Sequence, residues 1–390
     1  IKENEYNIIR LELPKDGENP YACASDILKM WQDKGILKIE DKPAIYIYEE
    51  EFSVGNTRKS IKGIIARVQL EEFSKGIILP HEFTLSKAKE DRLNLMKATN
   101  CNFSQIYALY MDEKHTTLAT IDEQSKAKAD LEFTDETGVT HRLWIETDEE
   151  IIAKLVADFA DRKLYIADGH HRYETALNYR NYCRENGISK PGDPQDFQMI
   201  YLVDMEHPGL VVFPTHRLVR DLPNFDKEAV LEKCSEFFYI DEKEGTDTME
   251  ENLKKLYDEG KKAFGFYCGK GEWFLLTLKN IDFMSQMLPN VSKASQSLDV
   301  SVLHTLILEK IFGIDKENMA KQINLTYTKF FTEAIDGVDK GEFQCSFVLN
   351  PTRVTEIRDV AAAGEKMPQK STYFYPKMIT GMVMNNLGVD

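Results

Sequence analysis

At 390 residues the chain is long enough for two domains, or for one large domain with an elaboration. A formal net charge of −16 with no basic stripe excludes a nucleic-acid surface of the usual basic kind. Any anionic ligand must therefore be met by a local cluster.

The six cysteines are scattered and form no C-x-x-C pair, so neither a zinc site nor a redox motif is indicated. There is no signal peptide and no long apolar run. The expectation is a reduced, soluble, cytoplasmic protein with a small-molecule substrate and no membrane partner. The chain opens on Ile1 and not Met, so its start reads as either trimmed or not recorded.

The first helix spans 21–34, with Ala24, Ile27, Leu28 and Trp31 on one face and Gly35 ending it. Strands over 43–50 and 61–68 flank a turn at 52–56 and can pair as a hairpin. Pro80 blocks helix before it, and Ser86 is a suitable cap for a helix running to Thr99. Between them stands His81-Glu82, just past an apolar strand end. A carboxylate beside a histidine is a usual general-base arrangement. For any one of Lys87, Lys89 and Glu90 a solvated helix face is the favoured explanation. Residues 102–110 read as a polar turn feeding a strand, with Asn102 and Ser104 at its mouth. A surface helix or loop over 114–128, a hairpin around 135–138 and an amphipathic helix over 148–159 follow.

The central stretch is Leu164-Tyr-Ile-Ala-Asp-Gly-His-His-Arg-Tyr-Glu-Thr-Ala-Leu177. It reads as a buried strand, a turn at Asp168-Gly169, and a helix opening at His170. Glycine permits a backbone angle that other residues avoid. The first helical turn then carries His170, His171 and Arg172 beside unpaired N–H groups and the positive end of the dipole, a seat for phosphate. Asp168 can hold a metal ion or orient a histidine. The plainer alternative is an N-cap aspartate with a solvated basic turn.

Beyond it come a loop over 183–197 and a buried strand over 198–204. A strand from Gly209 ends at Pro214, ahead of Thr215-His216-Arg217. Three apolar strands thus each end in a histidine beside a charged residue. If these ends converge they make one site. Leu222-Pro223 begins a second region. It has helices over 226–237 and 246–257, and a hairpin whose Gly269-Lys-Gly271 turn lacks P-loop spacing. A helix over 300–312, a strand over 343–349 and a helix over 355–363 complete it, and the charge run 241–244 reads as solvated surface. The last segment is Met367-Pro-Gln-Lys-Ser-Thr-Tyr-Phe-Tyr-Pro-Lys377. Its prolines disfavour helix. It suits either a lid with two lysines over an anion or an aromatic arm stapled to the core.

These motifs resemble those of the family of bacterial and archaeal proteins filed as domain of unknown function 1015. The resemblance rests on Leu79-Pro-His-Glu-x-Thr-Leu-Ser, Lys89-x-Asp91-Arg92, Ala167-Asp-Gly-His-His-Arg-Tyr-Glu-Thr-Ala176, Pro214-Thr-His-Arg217 and the segment 367–377. It implies a further N-terminal segment that this chain lacks, and Ala88 and Gln105 stand where the family often has proline. Asp-Gly-His-His-Arg also resembles the phosphate-holding turn of the ParB/sulfiredoxin superfamily, some of whose members are kinases acting on free serine.

The fold expected is therefore α/β (α+β). A ParB/sulfiredoxin-like core with a mixed sheet covers 1–221, and a C-terminal α/β domain covers 222–390, its segment 367–377 returning to the site. The activity implied is phosphoryl transfer from ATP or ADP, with Mg²⁺, to the hydroxyl of a free amino acid such as L-serine. Such chemistry rests on positioning and charge neutralisation. In that reading Gly169, His170, His171, Arg172, Lys89 and Arg92 hold the nucleotide. Asp168 orients the phosphates or binds the metal, a hard cation that takes few protein carboxylates. Glu82 is the base, tuned by His81, and His171 assists. Thr84, Asn102, Ser104, His216, Arg217, Lys370, Ser371 and Thr372 line the substrate side. A nucleotide-binding regulatory module without transfer is the alternative. A metal-dependent hydrolase is weaker, because no H-E-x-x-H spacing is present.

Overall fold

A computed structural model describes residues 4–82, 84 and 86–388. The helix and strand signals are realised in two units. Unit 1 comprises Ile1–Pro80, Thr84–Leu210 and Pro376–Asp390; unit 2 comprises His81–Phe83 and Val211–Tyr375.

Unit 1 is built on an eight-stranded sheet. In chain order its strands are β1 (Ile45–Val54), β2 (Thr57–Gln69), β3 (Ile78–Leu79), β5 (Ile106–Tyr110), β6 (Leu131–Thr134), β7 (Thr140–Glu146), β8 (Leu164–Asp168) and β9 (Phe197–Asp204), with the short β4 (Cys101–Asn102) outside it. Their spatial order is β3-β8-β5-β9-β2-β1-β7-β6. The sheet is mixed: β3 runs parallel to β8 and β5 to β9, while the remaining pairs are antiparallel. The β1–β2 hairpin closes tighter than its sequence indicates. Val54 pairs with Thr57 across Gly55-Asn56, whose glycine adopts φ 56°. A two-residue turn with positive φ matches the twist of the strands, so both run further than the 52–56 turn allows.

Ile47, Ile64, Ala108, Ile166, Ile200 and Leu202 form one core together with Tyr173, Ala176 and Leu177 of the helix His170–Glu185. That helix extends past Cys183, where a loop is expected from sequence. A separate cluster joins Ala24, Ile27, Leu28 and Trp31 of helix Pro20–Asp33 to Leu95 of helix Ser86–Thr99. The Ser86 and Lys87 side chains lie outside the described residues. Asp148 caps helix Glu149–Asp158 by accepting from the Glu150 and Ile151 amides, worth roughly 1 kcal/mol.

Unit 2 holds β10 (Val211–Phe213), β11 (His216–Val219), β12 (Phe238–Glu244), β13 (Ala263–Tyr267), β14 (Glu272–Leu278), β15 (Leu325–Thr328), β16 (Cys345–Val348) and β17 (Tyr373–Tyr375). Six of them form an antiparallel sheet in the order β12-β14-β13-β16-β11-β15. β10 pairs separately with β17. Helices Thr246–Asp258 and Phe331–Asp339 pack Met249, Leu253, Ala334 and Val338 against Trp273 and Val348.

Three expectations change here. The charge run 241–244 belongs to edge strand β12; Asp241 and Glu242 are exposed as read, yet their backbone pairs with β14, since edge strands tolerate charge. The helix over 300–312 is α-helical only at Asp299–Val302 and then widens into a π-helix, Leu303–Glu309. His216 and Arg217 do not trail a strand end; they open β11, which is paired on both sides. Among the described residues no helix is long and apolar enough to cross a membrane.

Candidate functional site

The turn after β8 takes the form its sequence requires. Gly169 sits at φ 97°, and the helix opens at His170 with no side chain capping it. A Cβ on Gly169 would lie 3.0–3.2 Å from the guanidinium of Arg172, so the absent side chain leaves room for that group to fold over the turn. Arg172 Nη1 donates to the Ser104 hydroxyl at 2.9 Å and to the Gln105 carbonyl at 2.6 Å. Its Nη2 lies 3.7 Å from Asp168 Oδ2, and Lys377 Nζ lies 3.4 Å from the same oxygen. The Asp168 side chain is 43% exposed, so one half-open carboxylate stands between two cations at the mouth of a helix dipole.

Other predicted residues pair with groups that were not read as site residues. Lys89 Nζ pairs with Glu174 Oε2 at 2.6 Å, and the Thr84 hydroxyl donates to that oxygen at 2.7 Å. Glu174 was legible in principle: it lies four residues after His170, on the same helical face. Arg92 pairs with Asp91, which also accepts from Tyr21, and donates to the Glu12 carbonyl. Asn102 is buried, and its Oδ1 accepts from the Met199 amide and from Asn385. His170 is buried, whereas His171 is partly open.

A small recess of about 50 Å³ in unit 1 gathers four of the predicted residues, Arg92, Asn102, Ser104 and Arg172, with Glu12, Thr175 and Gln198 also in its lining. Its two guanidinium groups stand beside the acidic Glu12, and that of Arg92 is already paired with Asp91.

In unit 2 the predicted His81 and Arg217 meet the segment 367–372, which carries Lys370, Ser371 and Thr372. His81 is fully buried; its carbonyl accepts from the Met367 amide at 2.7 Å, its Nε2 lies 3.2 Å from the Thr372 hydroxyl, and its ring meets Phe374 edge-on. Ser371 donates to the Pro368 carbonyl, and its own carbonyl accepts from Thr352. Lys370 adopts φ 58°, and its carbonyl accepts from Arg217 at 3.1 Å. The segment is thus held from within unit 2 by His81, Arg217 and Thr352. His216 is buried; desolvation, then the Arg217 charge, pushes its pKa down to about 3, so it is neutral and accepts from the Leu349 amide at Nδ1. Glu82 is half-buried.

The profile of a protein family of unknown function, DUF1015, matches residues 1–301. The chain belongs to the DUF1015 family. This DUF1015 chain has no similar sequence among functionally curated proteins. Among solved structures it is similar to a conserved hypothetical protein from Pyrococcus furiosus, with 15% identity over 83% of this chain and 95% of that one, at a TM-score of 0.39. A free serine kinase in complex with AMP is 13% identical over 80% and 86% of the two chains, at a TM-score of 0.40. SbnI with a C-terminal truncation, from Staphylococcus aureus, is 10% identical over 82% and 85%, at a TM-score of 0.37.

Among the described residues no three of His, Cys, Asp and Glu are grouped to hold a metal ion. The Asp168 carboxylate fits a Mg²⁺ ion held mainly by nucleotide phosphates, a mode that asks for one or two protein carboxylates.

Proposed function

We propose that this protein is a small-molecule kinase that transfers a phosphoryl group from ATP or ADP to the hydroxyl of a free amino acid, with L-serine the first candidate. The observation that carries the reading is the Asp168-Gly169-His170 turn. A helix N-terminus without a side-chain cap, Arg172 folded over a positive-φ glycine and a half-open carboxylate are what a phosphate donor needs. The motif's resemblance to the ParB/sulfiredoxin superfamily, some of whose members are kinases acting on free serine, supports serine as the first acceptor to test.

Arg172, with the helix amides of His170 and His171, neutralises the donor phosphates. Asp168 orients them and would hold Mg²⁺, which when bound screens charge between the phosphates. Glu82, assigned from its place in the Leu79-Pro-His-Glu motif, takes the proton of the acceptor hydroxyl. That oxygen bonds to phosphorus as the bond to the leaving phosphate oxygen breaks, and the nucleotide departs one phosphate shorter.

The test is incubation with Mg²⁺, ATP or ADP, and single free amino acids, with products read by mass. Phosphoserine formed only with serine supports the reading. Nucleotide binding without any phosphorylated acceptor replaces it with the regulatory module.

A further inference from the structure

The strands of unit 1 send alternate side chains to opposite faces of their sheet. Ile45, Ile64, Trp144 and Ile200 enter the core shared with Tyr173 of helix His170–Glu185. Their neighbours Tyr46, Ile65, Ile145 and Met199 therefore take the other face, where they floor a cleft of about 690 Å³. Leu28, the segment 36–44 and residues 381–386 wall it, all within unit 1. The volume is that of a small-molecule site.

One end of this cleft carries a cation, and the rest is largely apolar. Arg67 stands on β2, opposite Met199 of β9. From β2 the floor crosses Tyr46 of β1 and Ile145 of β7 and reaches Leu131 on the edge strand β6. Three strand spacings make that path roughly 14 Å, the reach of an extended dodecyl chain. Ile36, Ile39 and Leu131 are exposed at the mouth, Ile39 by 71%. Apolar side chains exposed together around one cleft mark a binding surface, unlike the same residues scattered singly. Met199, Met382 and Met384 give it walls that adapt to a flexible ligand.

Arg67 is the charge that the floor itself presents. Its guanidinium carbon lies 5.8 Å from the Phe197 ring, and among the described residues no carboxylate pairs with it. Tyr46 pairs across the strands with Ile65, two residues before Arg67, so the two side chains are diagonal neighbours on one face. The Tyr46 hydroxyl has no hydrogen-bond partner among the described residues. Burial, then the Glu40 charge, raises its pKa to about 12, so it stays a donor. On the wall, Lys38 and Lys42 balance Glu40 and Asp41 in sign. Asp130 already accepts from the Ile145 amide at 2.8 Å. A forked cation beside a phenolic donor, at one end of an apolar strip, matches a carboxylate carried on a hydrocarbon tail.

We propose that this cleft binds one free medium-chain fatty acid, with its carboxylate on Arg67 and Tyr46 and its acyl chain laid across β1 and β7 toward β6.

The experiment titrates the full chain by calorimetry with dodecanoate and with dodecyltrimethylammonium, each below its micellar concentration. Dodecanoate is expected to bind once per chain, and the ammonium at least about tenfold more weakly. Arg67→Glu should weaken dodecanoate by about tenfold or more and reverse the preference between the two. Ile39→Ser should weaken dodecanoate several-fold through lost apolar contact. Both positions are exposed, so the folded state should tolerate either change, and thermal melts check this. Absence of saturable dodecanoate binding, equal affinity for the two amphiphiles, or full dodecanoate affinity in either variant overturns the proposal. A dimer of the unaltered protein that Ile39→Ser disperses assigns the cleft to a second copy and overturns it equally.

Discussion

Lys377 places its ammonium 3.4 Å from the Asp168 carboxylate, tying the C-terminal part of the chain to the turn after β8 within one unit. Arg172 approaches the same carboxylate at 3.7 Å. Asp168→Asn keeps the shape and removes the charge. Both partners are well exposed, and such ion pairs contribute under about 1 kcal/mol. The melting temperature should hardly move. On the kinase reading, in which this carboxylate orients the phosphates, turnover with Mg²⁺ should fall by roughly 100-fold or more. Steady-state kinetics beside a thermal melt checks both. A variant with full turnover removes Asp168 from the mechanism.

On the kinase reading Arg172 has two tasks that a single alanine cannot separate. It also links the helix to Ser104 and the Gln105 carbonyl. Arg172→Ala should therefore lose about 1–2 kcal/mol of stability as well as nucleotide binding. Arg172→Lys keeps the charge and gives up the fork; nucleotide affinity should weaken about tenfold to a hundredfold with a smaller loss of stability. Calorimetric titration with ADP, set against urea unfolding, separates the two effects.

Glu82→Gln addresses proton transfer alone. General-base catalysis contributes roughly 10²–10⁴-fold, so kcat should fall by that order while the KM for nucleotide stays level. A kcat within a factor of about three of the unaltered protein would assign the base elsewhere.

Glu50 yields a prediction about pH. It is 1% exposed, with His141 Nδ1 3.9 Å from its Oε1, and Tyr48 hydrogen-bonds to that same ring nitrogen at 2.7 Å. Burial raises its pKa to about 7 from the ordinary 4.5; the Tyr48 hydrogen bond works downward and the Asp135 charge upward. The folded state therefore binds more protons than the unfolded state between those values. The stability this contributes is fully present below pH 4.5 and is lost as pH rises through 7. Glu50→Gln should flatten the profile, being more stable than the unaltered protein at about pH 8 by on the order of 3 kcal/mol at most, and nearly level with it at about pH 4. Urea unfolding across that range decides it, and parallel profiles would refute the shift.

Much of the fold was readable in order along the chain. Asp148 announces its helix, Gly169 announces the turn and the opening at His170, and Gly269-Lys-Gly271 closes a hairpin with all three residues at positive φ. These are local decisions made by caps, turn chemistry and periodicity within a few residues. Strand β12 was not readable, because its Asp-Glu-Lys-Glu composition argues for surface, and only pairing with β14 makes it a strand. The π-helical widening at His304 was hidden for a similar reason: apolar spacing over 300–312 looks like any buried helix.

By itself the sequence singled out the candidate site residues: an Asp-Gly-His-His-Arg turn, a His-Glu pair, a Thr-His-Arg run and a lysine-bearing terminal segment, none of which depends on long-range contacts to be recognised. Only the tertiary structure decided their partners. It set Lys89 against Glu174, Asp168 between Arg172 and Lys377, and Arg217 against His304 and the Lys370 carbonyl. The physical reason is that charge, capping and turn propensity act over a few neighbouring residues. Burial and hydrogen-bond satisfaction are settled by whichever distant segment packing brings within about 3 Å.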